Sequence, residues 1–457
     1  MKITLNEICS ALGGELFGNG EKEINRVSFD SRNCSEGTLF AALKGEVRDG
    51  HDFVPSLEGS GAAALCSRKT DCNVDCVMVA DVGKALCDLA RWFKQEKTSI
   101  RKTVAVTGSV GKTTTKDMTA CVLSKCAPTH KTQGNYNNNI GVPMTLFGIQ
   151  DGDEILVCEM GMNNFGEISL LTDIAHPDIA LITNIGTSHI ENLGSRENIC
   201  KAKMEIIQGM KPGSTLILNG DEPLLRNEAA QYADRYKLVF AGLSPENDIY
   251  ADNVICGDVC EFDIHYENAS YHTVLSVPGE HNVYNAVMAF GAGIECGMKP
   301  KEIVDALFEF VPHGMRQSIT LQRGVKIFAD CYNASRESMC AALKVLCSDA
   351  NASLRKIAVL GEMRELGEKS AELHYSVGEC VAMCRPDILF TLGDVAAKIE
   401  IGATENGFPK EKCINCATSE ELTEKLANTI RSGDIVLFKA SRLIKLEEII
   451  RKLGFEI

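Results

Sequence analysis

Short apolar runs alternate with helical stretches through the middle of the chain. The segment from Lys102 reads KTVAVTGSVGKTTTKDMTACVLSKC, which predicts a buried strand, a glycine-rich turn and a helix. Further buried-strand runs follow as EILVCEMG, DIALITNIG, STLILN and KLVFAG, with helical patterns between several of them. Strands that alternate with helices favour a largely parallel sheet covered on both faces. The pattern therefore predicts an α/β fold.

The hydrophobic period changes after this region. Between residues 249 and 277, segments such as CEFDIHY and YHTVLSV approach a period of two, which predicts a hairpin appendage. The helical stretch NVYNAVMAFGAGIEC then leads to FVPHGMRQ, where Pro312 and Gly314 mark a boundary. Beyond it, the strand runs KIFADCYN, KIAVLGEM, DILFTLGD and DIVLFKAS are each followed by a helical pattern, which is typical of a Rossmann-like sheet. No GxGxxG occurs there, so a dinucleotide is not implied.

The first 98 residues have a pattern of their own. They contain a helix-like start, the short strand CVMVAD and the helical pattern KALCDLARWFKQ, but no phosphate loop; the charged stretch EKTSIRK then marks a linker. At about 150 residues per domain, a chain of 457 residues holds about three domains. We predict a small α/β N-terminal domain at 1–98, a central P-loop ATPase-like parallel sheet at 99–312 and a C-terminal Rossmann-like domain at 313–457.

Composition and charge narrow the class of protein. A hydrophobic content of 45% with 24% charged residues is ordinary globular usage and argues against wholesale disorder or coiled coil. A net charge of -15 argues against broad binding to nucleic acid or to anionic membranes, so an anionic ligand needs a local site. The sequence has neither a signal-peptide layout nor a run of about 18 apolar residues, which predicts a cytoplasmic protein without a transmembrane segment.

The 20 cysteines are spread along the whole chain, mostly inside apolar runs, so we expect reduced, buried thiols. One CxxC pair occurs at Cys413 and Cys416. A structural zinc site needs four converging ligands, and no second pair stands at the usual distance. The sequence therefore predicts no metal role for these cysteines.

The sharpest chemical signal is a phosphate loop. TGSVGKT follows an apolar strand and opens a helix, where backbone N–H groups and the positive helix end surround phosphate oxygens. Val106 stands where the commonest form has its first glycine, which leaves a shorter loop. In this interpretation Lys112 reaches the terminal phosphates and Thr113 ligates Mg²⁺. The predicted nucleotide-binding residues here are Gly108, Ser109, Val110, Gly111, Lys112, Thr113 and Thr114.

Two further side chains follow strand ends. Glu159 ends ILVCE, and His189 comes after DIALITNIGTS. Since ligands of open α/β sheets gather at the carboxyl ends of strands, we expect both residues near the phosphate loop. A carboxylate suits Mg²⁺, whereas histidine is a less usual partner of that ion. Taken singly, either residue also fits a solvated loop position.

Several motifs together resemble a known family. TGSVGKTTTKD, NYNNNIGVPMTL, EMGMNNFGEI, ITNIGTSHIENLGSRENICKAKMEI, GEHNVYNAVMA and DCYNASRESM occur in the order seen in the Mur ligases of peptidoglycan synthesis. Within that family, FDSRNCSEGTLFAALKGEVRDGHDF, LGEMRELGEKSAELH and LFKASRLIKLEEII are most similar to the ligases that add D-alanyl-D-alanine to UDP-N-acetylmuramoyl-tripeptide. The resemblance implies a monomeric enzyme with those two substrates, and ATP-dependent amide formation through an acyl phosphate with Mg²⁺.

The resemblance also implies site residues. Lys112, His189 and Lys203 are the expected catalytic residues, and Thr113, Glu159, His189 and Lys203 the expected metal ligands, with Lys203 as an N-carbamate; without the family, Lys203 is an ordinary surface lysine. Asn282 and Asn285 lie three apart on one helical face and are expected at adenine, although Asn282 also fits a helix cap. Arg316 and Asp330 are expected to reach the nucleotide from the third domain, Asn138 and Asn139 to lie near the muramyl peptide, and Ser31, Arg32, Asp49 and His51 to hold the uridine diphosphate.

Two other functions remain open at this point. Another Mur-like amide ligase, such as the tripeptide-forming enzyme or a folyl-polyglutamate type of enzyme, shares the central motifs. The Asp-Ser-Arg segment and the closing KASRLIKLEE favour the muramyl enzyme. A nucleotide-dependent switch built on the phosphate loop predicts slow hydrolysis without dependence on an amine, and the three-domain layout argues against it.

Overall fold

The apolar runs form the strands of the sheets around which the protein is built. The computed structural model describes residues 1–312 and 317–457. Within them the strands make a two-stranded, a five-stranded, a nine-stranded and a six-stranded sheet. The predicted α/β class is confirmed. No helix in the described ranges has the length and apolar character needed to cross a bilayer.

The five-stranded sheet lies in the first part of the chain. Its order is β2-β7-β6-β5-β4, with only β2 antiparallel to its neighbour, while β1 and β3 pair separately. The buried face of α2, which includes Leu89 and Phe93, packs towards the central helices. The elements are β1 Ile3–Thr4, α1 Leu5–Leu12, β2 Glu15–Phe17, β3 Glu23–Ile24, β4 Arg26–Ser28, β5 Thr38–Ala41, β6 Ala63–Cys66, β7 Cys76–Met78 and α2 Val82–Lys97.

The nine-stranded sheet positions the phosphate loop. Its order is β16-β15-β14-β13-β12-β11-β8-β10-β9, and all pairs from β9 to β14 are parallel. The strands are β8 Lys102–Thr107, β9 Thr129–Lys131, β10 Ile155–Glu159, β11 Ile179–Ile182, β12 Thr215–Asn219, β13 Lys237–Gly242, β14 Ile249–Cys256, β15 Cys260–Tyr266 and β16 Ala269–Leu275. The helices are α3 Lys112–Leu123, α4 Gly141–Phe147, α5 Glu167–Ala175, α6 Ile190–Leu193, α7 Arg196–Met204, α8 Pro223–Ala229, α9 Glu280–Glu295 and α10 Pro300–Phe308.

The predicted hairpin appendage is instead part of this sheet. β14 pairs with β13 in parallel, and β15 and β16 extend the sheet as antiparallel strands. The period of two arises because one face is buried: Phe262 and Ile264 pack in the same core as Phe290 of α9. The pattern identified the strands correctly but could not show that a long-range parallel pair joins them to the central sheet.

The six-stranded sheet has the order β17-β18-β22-β19-β20-β21, with only β17 antiparallel. The four predicted strands form its centre, and the sequence reasoning missed both edges. The elements are β17 Ser318–Gln322, β18 Val325–Ala329, α11 Arg336–Leu346, β19 Arg355–Gly361, α12 Ser370–Cys384, β20 Ile388–Leu392, α13 Ala397–Glu405, β21 Cys413–Cys416, α14 Ser419–Thr429, β22 Asp434–Lys439 and α15 Leu446–Lys452.

The expectation of reduced thiols is wrong for four cysteines. Disulfides join Cys256 to Cys260 and Cys340 to Cys380. The first pair faces across β14 and β15 with 4.2 Å between the Cα atoms, and the second links α11 to α12 across 5.8 Å. Cys256 and Cys260 form a CxxxC pair in the sequence, but the spacing alone did not show that they face each other across two strands; Cys340 and Cys380 are 40 residues apart. Cys413 and Cys416 are free, and the described residues contain no cluster of three or more His, Cys, Asp or Glu able to hold a metal.

Helices α12 and α13 approach each other at two glycines. A Cβ added at Gly378 would lie 2.2 Å from the carbonyl oxygen of Ile399, and one at Gly402 would lie 2.1 Å from that of Tyr375. No side chain fits at either distance. The two helices therefore pack backbone to backbone beneath the six-stranded sheet.

We expect Gly378→Ala to lower the free energy of unfolding by about 1–3 kcal/mol, because the added methyl group forces the helices apart. Gly83→Ala in α2 is the matched control, since a Cβ there has only the Asp81 carboxylate, at 3.3 Å, as a close neighbour. Urea unfolding followed by circular dichroism measures both variants. A Gly378→Ala protein as stable as the control would contradict the close packing.

Candidate active site

The phosphate loop connects β8 to α3 and depends on two glycines. Gly108 and Gly111 have φ angles of 148° and 82°, in the region that favours glycine. A Cβ on Gly108 would lie 1.9 Å from Thr183 Oγ1, and one on Gly111 would lie 2.6 Å from Asn285 Oδ1. These glycines therefore let the loop backbone approach the strand end beside it and helix α9.

The loop after β11 fixes the shape of the phosphate loop through hydrogen bonds. The backbone N–H of Ser109 donates to the Asn184 carbonyl at 3.1 Å, and that of Val110 donates to Asn184 Oδ1 at 3.0 Å. Thr183 Oγ1 donates to the Val110 carbonyl at 2.5 Å. Lys112 Nζ lies against the same loop and donates to the carbonyls of Gly108 and Ser109. The predicted lysine is thus held at the mouth of the loop.

Glu159 is buried beside the start of α3, as expected for a strand-end carboxylate. It is 1% exposed, and its Oε2 accepts a hydrogen bond from Thr113 Oγ1 at 2.8 Å. Its Oε1 accepts from Asn137 Nδ2, also at 2.8 Å. The sequence reasoning passed over Asn137, although it stands in the same asparagine run as Asn138 and Asn139. A hydroxyl, a carboxylate and an amide therefore meet next to the phosphate loop.

Lys203 lies inside the protein, not on the helix surface where its pattern alone placed it. Its side chain is 1% exposed, whereas Lys201 on the same helix is exposed. Burial lowers the pKa of the Lys203 amine well below its ordinary value, and the nearby Lys112 ammonium lowers it further. No carboxylate within the described part of the chain pairs with Lys203. Both effects shift Lys203 towards its neutral form.

His189 lies at the end of the same loop after β11. It contacts the segment that follows β19 of the six-stranded sheet. Its φ is 63°, and its Nδ1 is 2.7 Å from Glu365 Oε2, although the direction departs from that of a well-aligned hydrogen bond. The His189 imidazole lowers the pKa of the Glu365 carboxyl. Glu337 of α11 accepts from the Thr187 backbone N–H and hydroxyl, both at 3.2 Å. The sequence reasoning found neither glutamate, because each is far from the loop along the chain.

The two asparagines of α9 are buried and bonded to each other. Asn285 Nδ2 donates to Asn282 Oδ1 at 3.1 Å, and Asn285 Oδ1 accepts from Thr115 Oγ1 at 3.0 Å. Asn282 Nδ2 donates to the Pro278 carbonyl at 2.8 Å, which matches the capping alternative. These bonds join α9 to α3. The expected adenine contact of Asn282 and Asn285 stays a prediction.

Asp330 directly follows β18 of the six-stranded sheet. It is 8% exposed and accepts a hydrogen bond from Lys439 Nζ, which also donates to the Asn333 carbonyl at 3.2 Å. Lys439 ends the neighbouring strand β22 and was missed, because its apolar surroundings gave it no separate signal. Arg316 lies outside the described residues.

A cavity of about 860 Å³ joins these groups between the nine-stranded and six-stranded sheets. It is lined by residues of the phosphate loop, the asparagine run, the β11 loop, α9, α11 and the ends of β18 and β22. Ten of the predicted residues line it: Ser109, Val110, Gly111, Lys112, Thr114, Asn138, Glu159, His189, Asn285 and Asp330. The volume is within the range of small-molecule sites.

Comparison with known proteins identifies the family. Family models match residues 23–87 (Mur ligase family, catalytic domain), 106–293 (Mur ligase middle domain) and 315–442 (Mur ligase, glutamate ligase domain). A UDP-N-acetylmuramoyl-tripeptide--D-alanyl-D-alanine ligase of Bacillus subtilis is 38% identical over 99% of this chain and 98% of its own. This chain belongs to the Mur ligase family. A ligase of the same name from Escherichia coli is 33% identical over 99% of this chain and 98% of its own.

Solved structures agree with this membership. MurF from Acinetobacter baumannii superposes with a TM-score of 0.92 at 31% identity and covers 99% of both chains. A MurF ligase from Thermotoga maritima in complex with ADP has a TM-score of 0.82 at 30% identity and covers 94% of this chain and 96% of its own. The resemblance found in the sequence and the three-domain fold class are confirmed. The domain bounds stay predictions.

The expected uridine-diphosphate residues of this Mur ligase lie together in the first part of the chain. Ser31 and Arg32 lie in a one-turn helix that contacts the helical segment Gly50–Leu57. Arg32 is exposed and pairs with Asp30 at 2.8 Å. His51 is buried: its Nδ1 lies 2.6 Å from Asp49 Oδ1, and its Nε2 accepts from the Ser67 backbone N–H at 2.9 Å. Asp49 and His51 therefore brace the segment, and Arg32 is the exposed cation.

The expected muramyl-peptide residues of this Mur ligase lie at the start of α4. Asn138 Oδ1 accepts from the backbone N–H of Gly141 at 2.8 Å, so it shapes the turn into the helix. Asn138 lines the cavity, whereas Asn139 is exposed outside it. A peptide contact of Asn138 and Asn139 remains a prediction.

We expect Lys203→Met to raise the free energy of unfolding at pH 7 by roughly 1–4 kcal/mol, the range for replacing buried charged groups by apolar ones. Between the lowered folded pKa and the unfolded value of 10.5, the unfolded chain binds the extra proton. The cost of Lys203 is therefore present at pH 7 and disappears as the pH approaches 10.5. Unfolding in degassed buffer, which keeps the amine unmodified, measures the gain.

Lys201→Met is the matched control, because Lys201 is an exposed lysine of the same helix. It should change stability by less than about 0.5 kcal/mol. Equal stability changes in the two variants at every pH would show that Lys203 is not destabilised by burial.

Proposed function

We propose that this Mur ligase joins D-alanyl-D-alanine to the terminal carboxyl group of UDP-N-acetylmuramoyl-tripeptide with hydrolysis of ATP to ADP and phosphate. The observation that carries the proposal is the cavity in which the phosphate loop, Glu159 and Asp330 meet. The names of the relatives from Bacillus subtilis and Escherichia coli support the substrates, and the ADP complex of the Thermotoga maritima enzyme supports the nucleotide. We place the reaction in the cytoplasm and assign it to a monomer.

The chemistry follows from the weakness of a carboxylate as an acyl donor. A carboxylate oxygen of the tripeptide attacks the γ-phosphorus of ATP, and the bond to the β-phosphate oxygen breaks to release ADP. The amine of D-alanyl-D-alanine then attacks the acyl carbon, phosphate leaves with the C–O bond electrons, and the amine loses a proton. Phosphoryl transfer of this kind depends on positioning and on positive charge. Lys112 and the backbone N–H groups at the start of α3, residues 111–114, supply both.

The residues around Thr113 fit Mg²⁺, which the family implies. Thr113 Oγ1 and Glu159 Oε2 are hard oxygen donors 2.8 Å apart, and Glu159 is almost fully buried. Mg²⁺ prefers such oxygens and commonly keeps its other positions for water and phosphate. We assign Thr113 and Glu159 to one ion and His189 to a second. Both ions would neutralise the charge that develops on the phosphates.

Lys203 fits the proposed N-carbamate because its environment favours the neutral amine. Only a neutral amine attacks CO₂, and the product is an anionic oxygen ligand in place of an ammonium that repels Mg²⁺. Lys203 lies beside Lys112, whose positive charge opposes a second ammonium and attracts a carbamate. The modification therefore converts an unfavourable buried amine into a group suited to the site.

The other parts of the chain supply the remaining contacts in this proposal. Asp330 and Arg316 reach the nucleotide from 313–457, and Asn282 and Asn285 lie at its base. Asn138 and Asn139 contact the muramyl peptide. Ser31, Arg32, Asp49 and His51 hold the uridine diphosphate from 1–98. Closure of the C-terminal region, residues 317–457, over the cavity excludes water from the acyl phosphate.

We expect the protein, given ATP, Mg²⁺, UDP-N-acetylmuramoyl-tripeptide and D-alanyl-D-alanine, to form the pentapeptide nucleotide with one phosphate released per amide bond. Mass spectrometry identifies the product, and a phosphate assay counts turnover. Lys112→Ala should lose about 10³-fold or more of the rate, the scale of a cation that stabilises phosphoryl transfer. Product formation from single amino acids but not from the dipeptide would identify a different Mur ligase.

We expect Lys203→Ala to lose about 100-fold or more of the rate, and a short carboxylic acid such as formate or acetate to restore part of it by placing a carboxylate in the vacated space. The same acid should not help Lys112→Ala, which lacks a different group. Undiminished activity of Lys203→Ala, or no rescue at any acid concentration, would remove the carbamate from the mechanism.

A further inference from the structure

The loop between β11 and α6 contacts two parts of the protein at once. On one side Thr183 and Asn184 bond to the phosphate loop backbone. On the other side Thr187 donates a hydrogen bond to Glu337. The Glu337 carboxylate also lies close to Gly186: a Cβ added at Gly186 would be 2.9 Å from its carboxyl carbon. The loop after β11 therefore links helix α11 to the phosphate loop.

A second contact lies at the far end of the same loop. His189 Nδ1 lies 2.7 Å from Glu365 Oε2. Next to it, Glu191 lies against Gly367: a Cβ added at Gly367 would be 3.0 Å from the Cγ of Glu191. Glu365 and Gly367 follow β19, so both contacts of the β11 loop join it to 313–457. Two carboxylates, Glu337 and Glu365, thus hold the loop at two points.

Both partners of the second contact have unusual backbones. His189 and Glu365 each have a φ of 63°, a left-handed conformation that is uncommon outside glycine. Such conformations persist where the surroundings hold them, often at functional sites. Two left-handed residues that face each other across the cleft point to a shared task.

We infer that Glu365 is a positioning residue that orients His189. Together with Glu337, it couples closure of the C-terminal region, residues 317–457, over the cavity to the shape of the phosphate loop. The inference rests on the proposed function. A carboxylate beside Nδ1 favours the tautomer with its proton on that nitrogen, so Nε2 keeps its lone pair. His189 lines the cavity, so in this inference the Nε2 lone pair is available to a cation there. Glu365 itself touches no reacting atom.

The strength of the contact suits a reversible closure. The Glu365 side chain is 56% exposed, and an exposed contact between polar side chains stabilises a fold only weakly. Breaking it therefore costs the fold little. Glu337 makes the firmer contact, because its carboxylate accepts from a backbone N–H as well as from a hydroxyl. The pair thus combines a docking point with a weaker contact that adjusts His189.

The test compares Glu365→Ala, Glu365→Gln and the control Glu368→Ala, an exposed glutamate three residues along the chain. We expect Glu365→Ala to lower kcat about 10- to 100-fold, the range for residues that orient a ligating histidine. The KM for ATP should change less than about twofold, since Thr183 and Asn184 bond the phosphate loop without the help of Glu365. Glu365→Gln should recover part of the loss, because its amide oxygen can occupy the place of the carboxylate oxygen beside His189 Nδ1. Glu368→Ala should match the unaltered protein.

A second readout is independent of turnover. Hydrogen exchange of the full chain with ADP and Mg²⁺ present should be faster in peptides covering 183–193 for Glu365→Ala than for Glu368→Ala. In a double-variant cycle, His189→Ala combined with Glu365→Ala should lose no more rate than His189→Ala alone.

Equal kcat in Glu365→Ala and Glu368→Ala, unchanged exchange in 183–193, or additive losses in the cycle would each overturn the role of Glu365. Failure of the unaltered protein to make the pentapeptide nucleotide would instead refute the proposed function. The exchange comparison would then still decide whether Glu365 holds the β11 loop.

Discussion

The active site depends on the close approach of the phosphate loop to the structure on either side of it. Gly108 lies against Thr183, and Gly111 lies against Asn285, at distances that exclude any side chain. This contact sets the end of β8, the start of α3 and the β11 loop relative to one another. Thr113 and Glu159 face each other only because α3 begins where it does. The cavity is the space left above these fixed elements.

Electrostatics within the cavity differ from those of the protein as a whole. The chain carries a net charge of -15, yet Lys112 and Lys439 line the cavity, and Lys203 is buried beside Lys112. The buried Asp330 carboxylate is paired with Lys439. Other carboxylates, among them Glu159 and Glu337, line the same cavity, so a polyanion is held by individual cations and by the phosphate loop, not by a net positive field. That agrees with the conclusion drawn from composition that an anionic ligand needs a local site.

The parts of the fold that could be predicted are those encoded within short stretches of sequence. The parallel strands and the phosphate loop have local patterns, and Glu159 and His189 were found because strand ends converge. Edge strands β9, β17 and β21 are short and half exposed, so their patterns are weak. Glu337 and Glu365 were missed because their roles arise from the packing of one part of the chain against another. Asn137 and Lys439 were missed because their partners, Glu159 and Asp330, are distant along the chain. The burial of Lys203 and the Cys340–Cys380 disulfide likewise depend on distant partners.

The short edge strands have a consequence for the behaviour of the protein in a crowded cell. β9 has three residues and β21 has four, so these two sheet edges present few backbone groups in a row. Strand addition from another polypeptide needs a longer row of such groups to compensate for the ordering that it requires. These two margins thus resist strand addition better than the seven-residue β16 at the opposite edge of the central sheet.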